Sequence, residues 1–331
     1  MKENIYRCPE TGGELTLVVK EEMNGSIQSG YFQNAQGRKY LIEDGIADFI
    51  YPPELSAKQK EQLAYYETNA EIYDDIQGVT FAIHREDEDK VRRDMVSQLN
   101  VQANSKVLEL SCGTGRDSQH IASLLSQDGR LFVQDISGAM LRQCKSKLEK
   151  LSVPVEFSVG NASYLAFPNN YFDAVYSFGG LNVFENLKRS LTEMVRVTKP
   201  GGKIVVGDES MPEWLYHTEF GKILLNANPL FKFKVPFESI PAEARDVTVR
   251  WVIGGVYYLI SFVVGEGEPL ANFDLQIPGR RGGTLKTRYH GQLEGVSEET
   301  KKLVLRAAEK SNKSIHQWLD HTLRTAALTE E

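Results

Sequence analysis

Cysteine is scarce. The chain of 331 residues holds three, Cys8, Cys112 and Cys144. They are odd in number and scattered, so no disulfide framework follows and a reducing compartment is the simple expectation. A long apolar run is lacking too. The most apolar stretch, 251–264, is interrupted by Gly254-Gly255. It falls short of the roughly 20 apolar residues that a membrane helix needs, and a buried hairpin suits it better. Residues 1–7 are polar and without the apolar segment of a signal peptide. A soluble, cytoplasmic protein without membrane partners is expected. Positive charge is in deficit: 38 Lys and Arg stand against 45 Asp and Glu, for a net charge of -7. A dedicated nucleic-acid binder needs the opposite balance on at least one face, so nucleic acid is not the expected partner. No internal repeat or low-complexity tract is visible.

What is present is the composition of a folded protein, 41% hydrophobic and 25% charged. The length leaves room for two or three domains, and texture divides the chain at about 53 and 266. Residues 1–53 carry short strand-like runs between Gly and Asn turns and end at Pro52-Pro53. Residues 54–266 alternate helical and strand patterns. Helices are predicted over 58–73, 87–99, 117–125, 139–148 and 187–197. Strands are predicted over 106–110, 130–134, 155–159, 174–177 and 203–206, the last after the sharp turn Lys199-Pro-Gly-Gly202. Strands alternating with helices imply a parallel sheet with right-handed crossovers, an α/β fold. The rhythm then changes: 246–252 and 256–264 read as an antiparallel pair turning at Gly254-Gly255.

The chemistry gathers where this alternation begins. In Val107-Leu-Glu-Leu-Ser-Cys-Gly-Thr-Gly-Arg-Asp117 a strand runs through a glycine loop into a helix. Gly113 and Gly115 let the backbone approach a ligand, and the helix start offers free N–H groups. Asp135 ends the second strand, 20 positions after Gly115. An acid there is placed to accept both hydroxyls of a ribose at the switch point of the sheet, although it could also cap the next helix. Asn161, after the third strand, can hydrogen-bond an adenine. Phe172-Asp-Ala-Val-Tyr-Ser-Phe-Gly179 is a strand whose end would floor such a site.

With these motifs in order, 104–208 resembles the class I S-adenosylmethionine-dependent methyltransferases, and among them the ubiquinone/menaquinone-biosynthesis-like C-methyltransferases. The resemblance rests on Val107–Gly115, Asp135-Ile-Ser with Met140-Leu141, Phe167-Pro-Asn-Asn-Tyr-Phe-Asp-Ala-Val175, and Val195-Arg-Val-Thr-Lys-Pro-Gly-Gly202. It implies a Rossmann-like seven-stranded sheet whose last two strands are antiparallel, with S-adenosylmethionine as cofactor. Glu109, Ser111 and Gly113 would contact the methionine moiety, with Thr114 and Gly115 in the same loop. Asp135 would hold the ribose, while Ile136, Asn161 and Ala162 would meet the adenine. Phe178 and Gly179 would line the pocket near the methyl group, and Tyr73 and Met140 complete the expected cofactor set. Two positions depart from the family pattern. Ser111 replaces the first loop glycine, and Asn161 stands where an acid is frequent.

The outer segments are less specific. Residues 1–53 resemble a small, β-rich, zinc-ribbon-like domain, but a working ribbon needs two Cys-x-x-Cys knuckles. Here Thr11 stands opposite Cys8, and 31–34 holds no cysteine, so no zinc is expected and Cys8 is read as a small buried residue. Residues 267–331 begin Gly- and Arg-rich, with Gly279-Arg-Arg-Gly-Gly283 a solvated loop or an anion holder. The stretch 285–292 alternates, with Lys286, Arg288 and His290 on one face, and two helices follow. Strand, helix, helix is weakly like a ribbon-helix-helix module. The small Lys and Arg surplus favours packing or homodimerisation over DNA contact.

The acceptor site is expected beyond the carboxyl ends of the strands, walled by Tyr66 and Tyr73, by 180–182 and by the aromatic segment 209–237. Within that segment His217 and Glu209 are the candidate general bases, each weighed against a surface or packing role. Three functions compete. The first is methylation of a small aromatic or apolar metabolite at oxygen or carbon. The second is methylation of an RNA base, prompted by the ribbon-like start. The third is a non-catalytic, cofactor-binding regulator.

Overall fold

Short polar turns and β-branched or aromatic runs build the first strands of the computed structural model, which describes residues 5–23, 25–290 and 296–331. Strands β1 (Thr16–Met23), β2 (Ser26–Gln33), β3 (Lys39–Glu43) and β4 (Ile46–Asp48) form an antiparallel meander. In β3 burial alternates with the two-residue period of a strand, Tyr40 and Ile42 facing in.

Three helices follow. In α1 (Ala57–Asn69) the first turn is closed by a capping box: Ser56 Oγ accepts from Gln59 N at 3.3 Å, and Ser56 N donates back to Gln59 Oε1 at 3.1 Å. The helix predicted over 58–73 ends at Asn69, and after a break a helix that was not predicted follows, α2 (Tyr73–His84). α2 starts at Ile72 without a side-chain cap, which removes the usual signal of a helix start. α3 (Glu88–Ser97) is capped by Asp87, whose Oδ1 accepts from Lys90 N at 3.0 Å.

The alternating part comprises β5 (Lys106–Leu110), α4 (Arg116–Ser123), β6 (Arg130–Asp135), α5 (Gly138–Leu148), β7 (Val155–Val159), β8 (Phe172–Phe178), α6 (Leu187–Val197), β9 (Thr198–Glu209), α7 (Glu219–Ala227), β10 (Ala244–Val252) and β11 (Tyr257–Val264). The sheet runs β1-β2-β3-β4-β7-β6-β5-β8-β9-β11-β10. Pairing is parallel from β4 to β9 and antiparallel for β9–β11 and β11–β10. Apolar residues of the central strands alternate between two buried layers. Leu108, Val175, Ile204 and Val206 face one, and Val107, Leu131, Val133 and Val205 the other.

The sheet holds eleven strands, not the seven expected. The difference lies in the N-terminal segment, which extends the sheet instead of standing apart. The short apolar β4 pairs with the edge of β7 in the register Ile46↔Phe157, Ala47↔Ser158, Asp48↔Val159. Aromatic packing crosses the expected boundary at 53: Tyr6 lies 5.2 Å from Phe32 and 5.5 Å from Phe167, centroid to centroid. Cys8 is buried, with its thiol 3.3 Å from the Tyr40 hydroxyl.

The chain divides into two units at Glu268 and Pro269. The second holds α8 (Leu285–His290), α9 (Glu298–Lys310) and α10 (Ile315–Glu330), with Ser297 and Ser314 as caps. The alternating stretch over 285–292 is corrected from strand to helix as far as His290. The first turn is fixed by Thr284 Oγ1, which accepts from Thr287 N at 3.0 Å. Among the described residues the second unit has no strand to pair with it. Positions 291 and 292 lie outside the described residues, as does the polar start at 1–4. Among the described residues no helix is long and apolar enough to cross a membrane.

Candidate cofactor and acceptor site

Strand order reverses on either side of β5, which opens a crevice at the carboxyl ends of β5 and β8. The loop leaving β5 enters that crevice. Gly115 needs to be glycine twice over. Its φ is +83°, and a Cβ there would stand 2.7 Å from Cys144 Sγ on α5. This close approach lets α4 and α5 meet behind the loop.

Asp135 joins the loop to the next turn. One carboxyl oxygen accepts from Gly113 N at 2.9 Å, the other from Ser137 N at 2.9 Å. Burial raises its carboxyl above the ordinary range, and the N–H groups of Ser137, Gly113 and Ile136 pull it back. Asp135 lines the crevice beside Ile136 and Met140. Asn161 is also oriented: its Oδ1 accepts from Ser163 N at 3.0 Å and its Nδ2 donates to Tyr51 O at 3.1 Å. One amide hydrogen remains for a ligand.

Of the residues expected to meet a cofactor, the crevice gathers Tyr73, Ser111, Gly113, Asp135 and Ile136, together with Met140, Asn161, Ala162, Phe178 and Gly179. Glu109 and Thr114 instead line an adjoining cavity, while Gly115 shapes the loop from behind. Glu109 is buried, accepts from Ser118 Oγ, and is pushed well up by burial and by the charge of Asp117. The sequence did not indicate Gln59 and Gln62, which reach the crevice from α1. The capping pattern Ser56-x-x-Gln59 was the only sign that Gln59 has a fixed place. α1 is anchored over the site by Glu67, whose Oε1 accepts from Ser137 Oγ at 2.7 Å and from Ala139 N at 3.1 Å, at the start of α5.

α2 and α3 are fastened to α4 by an ionic cluster. Arg92 binds Glu88 at 2.6 Å and Asp117 at 2.8 Å, and Arg116 binds Glu88 and the Asp74 backbone carbonyl. Asp74 also accepts from Thr114 Oγ1 and Lys147. Burial alone would raise the Asp74 and Glu88 carboxyls, but these partners outweigh it and hold both below their ordinary values.

The adjoining cavity, of about 560 Å³, shares Tyr66, Tyr73, Ser111, Gly113, Phe178 and Gly179 with the crevice. That volume suits a small molecule. Tyr66 and Tyr73 meet edge to face at 6.1 Å, and Phe178 stacks on Tyr257 at 5.9 Å and 28°. Glu209 lines this cavity, and so does Asp208, which the sequence reading passed over. Asp208 accepts from Asn182 N at 2.7 Å and from Glu209 N at 2.8 Å, and Asn182 Nδ2 donates to Glu209 O at 2.9 Å. Burial, then the neighbouring Glu209, push the Asp208 carboxyl well up.

Other expected walls fall elsewhere. Of 180–182, Asn182 lines the cavity as expected, but Gly180 lines the crevice and Leu181 is buried in the core. The exposed His217 lines neither space. The aromatic segment contributes fewer rings than expected. Phe231 packs into the core against Tyr257, and Trp214 is 70% exposed and touches Trp251. From this stretch Ala227, Asn228 and Leu230 reach the cavity.

Residues 107–202 match a family model described as a methyltransferase domain. A relative from Francisella philomiragia, the ubiquinone/menaquinone biosynthesis C-methyltransferase UbiE, is 33% identical over 159 residues, 47% of this chain and 62% of the relative. The protein of the same name from Chromobacterium violaceum is 34% identical over 145 residues, 44% of this chain and 54% of its own. The chain thus spans about three-fifths of the length of the curated relatives it matches. Among solved structures, a SAM dependent methyltransferase from Aquifex aeolicus aligns at 16% identity over 52% of this chain and 89% of its own, with a TM-score of 0.40.

Proposed function

We propose that the protein is an S-adenosylmethionine-dependent methyltransferase acting on a small-molecule acceptor with an aromatic or apolar body. The observation that carries this reading is the shared wall of the two spaces. The crevice collects the glycine loop, Asp135 and Asn161, the groups suited to methionine, ribose and adenine. The ring-lined cavity meets it at Ser111, Gly113, Phe178 and Gly179, where a transferable methyl would lie.

The sulfonium supplies the reactivity when bound. The chain's part is to hold donor and acceptor in line and to keep water out. Tyr66 and Tyr73 line both spaces. From sequence, the receiving atom was expected to be oxygen or carbon. The names of the relatives say carbon, and the RNA and regulator alternatives gain no support from the residues around the cavity.

The test is calorimetric binding of S-adenosylmethionine, followed by transfer of a labelled methyl group to an organic extract of the source cells. Binding together with label in the extract is expected. A protein that does not bind the cofactor overturns the proposal, and label that goes to total RNA instead overturns the small-molecule part of it.

A further inference from the structure

The acceptor cavity has a charge imbalance that methyl transfer in general does not require. Two guanidinium groups line it, Arg92 and Arg116, and both are committed to Glu88 and to Asp117 or Asp74. Asp208 and Glu209 arrive from the end of β9, and among the described residues neither has a cation in salt-bridge range. Two carboxyl groups so close together, on a wall that is largely out of water, do not both ionise readily. Burial, then the charge of Glu209, push the Asp208 carboxyl well above its ordinary range.

Tyrosine rings complete this end of the cavity. Tyr66, Tyr73 and Tyr257 line it, and the charge of Glu209 acts on all three hydroxyls. Ring faces attract cations, most strongly where water is excluded. An anionic acceptor would meet Glu209 as a like charge, and a neutral one would leave that carboxylate desolvated with nothing opposite.

The direction in which charge moves decides between acceptor atoms. When an oxygen or carbon acceptor loses a proton, the positive charge of the donor disappears during transfer. When an amine nitrogen accepts the methyl, the positive charge passes from sulfur to nitrogen. Aromatic rings lining the acceptor side then stabilise charge where it develops, and a carboxylate beside them first binds the ammonium and then takes its proton.

We propose that the acceptor is a small amine, held as its ammonium between the tyrosine rings and Glu209, and that the methyl goes to its nitrogen. Glu209 takes one proton from the ammonium, and the freed lone pair attacks the methyl carbon. The carbon–nitrogen bond forms as the carbon–sulfur bond breaks. Sulfur keeps the bonding pair, giving S-adenosylhomocysteine and a methylated ammonium. This inference rests on the methyltransferase reading above. The wall that carries it, Tyr66, Tyr73, Asp208, Glu209 and Tyr257, lies wholly outside the matched domain segment 107–202.

The experiment uses the full chain and S-adenosylmethionine with a labelled methyl group. The extract is split by ion exchange at pH 7 into cationic, neutral and anionic small molecules, and each pool is offered separately while cofactor binding is measured in parallel. Label in the cationic pool, on nitrogen by mass spectrometry, is expected. Label in the neutral or anionic pool overturns the proposal. Label in none, with the cofactor bound, overturns it too and leaves the methyltransferase reading standing. Absence of cofactor binding overturns both. On the labelled pool, Glu209→Gln lowers the transfer rate by about 100-fold or more, the scale of a lost general base. Its cofactor affinity stays within threefold, which separates a catalytic loss from a misfolded protein. A rate that survives the substitution overturns the role of Glu209.

Discussion

Asp135 serves two purposes with one carboxylate. It closes the loop by accepting from Gly113 and Ser137, and it keeps lone pairs for a ligand. Two ribose hydroxyls donating to a charged acceptor contribute about 1.5–3 kcal/mol each. Asp135→Ala is therefore expected to weaken S-adenosylmethionine binding by well over tenfold in calorimetry, and unchanged affinity would remove Asp135 from the ribose site. Residues of this kind were legible because they share one continuous strand–loop–helix stretch, where spacing alone sets their place. Asp208 was not legible. Its importance comes from Asn182, whose N–H donates to it, and from the cavity it shares with Tyr257, both on elements far off in sequence. His217 had the right chemistry for a base, but nothing in sequence says which way a side chain on an irregular segment points.

At the scale of elements, α2 matters most, because it carries Tyr73 to the site and is fastened by the ions around Asp74 and Glu88. Both carboxyls sit below their ordinary values in the fold. A depressed carboxyl stabilises above its unfolded pKa, and that stability is lost as pH falls through the folded value. Lowering the pH from about 5 towards 3 is thus expected to loosen α2 and α3. Amide hydrogen exchange, corrected for its intrinsic pH dependence, should show their protection falling before that of β5 and β6. Equal loss everywhere would mean that these ions do not fasten the helices. The same elements show what pattern reading can reach. α6 was found at its true limits because Asn186 caps it and Leu191, Met194 and Val197 repeat at helical spacing. α2 was missed because it lacks a cap and follows α1 after a break of three residues. The stretch at 285–290 misled because six alternating residues carry too little periodicity to outweigh a threonine cap.

For the whole molecule, every residue lining the crevice and the adjoining cavity falls before Pro269. A chain ending at Glu268 is expected to keep a cooperative thermal transition and to bind S-adenosylmethionine within threefold of the full chain. A large loss would mean that the second unit contributes to the site. The α/β layout was legible because alternation of strands and helices leaves few topologies open. The extension of the sheet to eleven strands was not, because β4 offers only three residues and its partner lies roughly 110 positions away. That separation has a consequence for synthesis. Strands β1 to β4 leave the ribosome well ahead of β7, yet β7 is the strand they must join. Until β7 is made the edge of β4 has no partner, so this part of the sheet is made early and seated late.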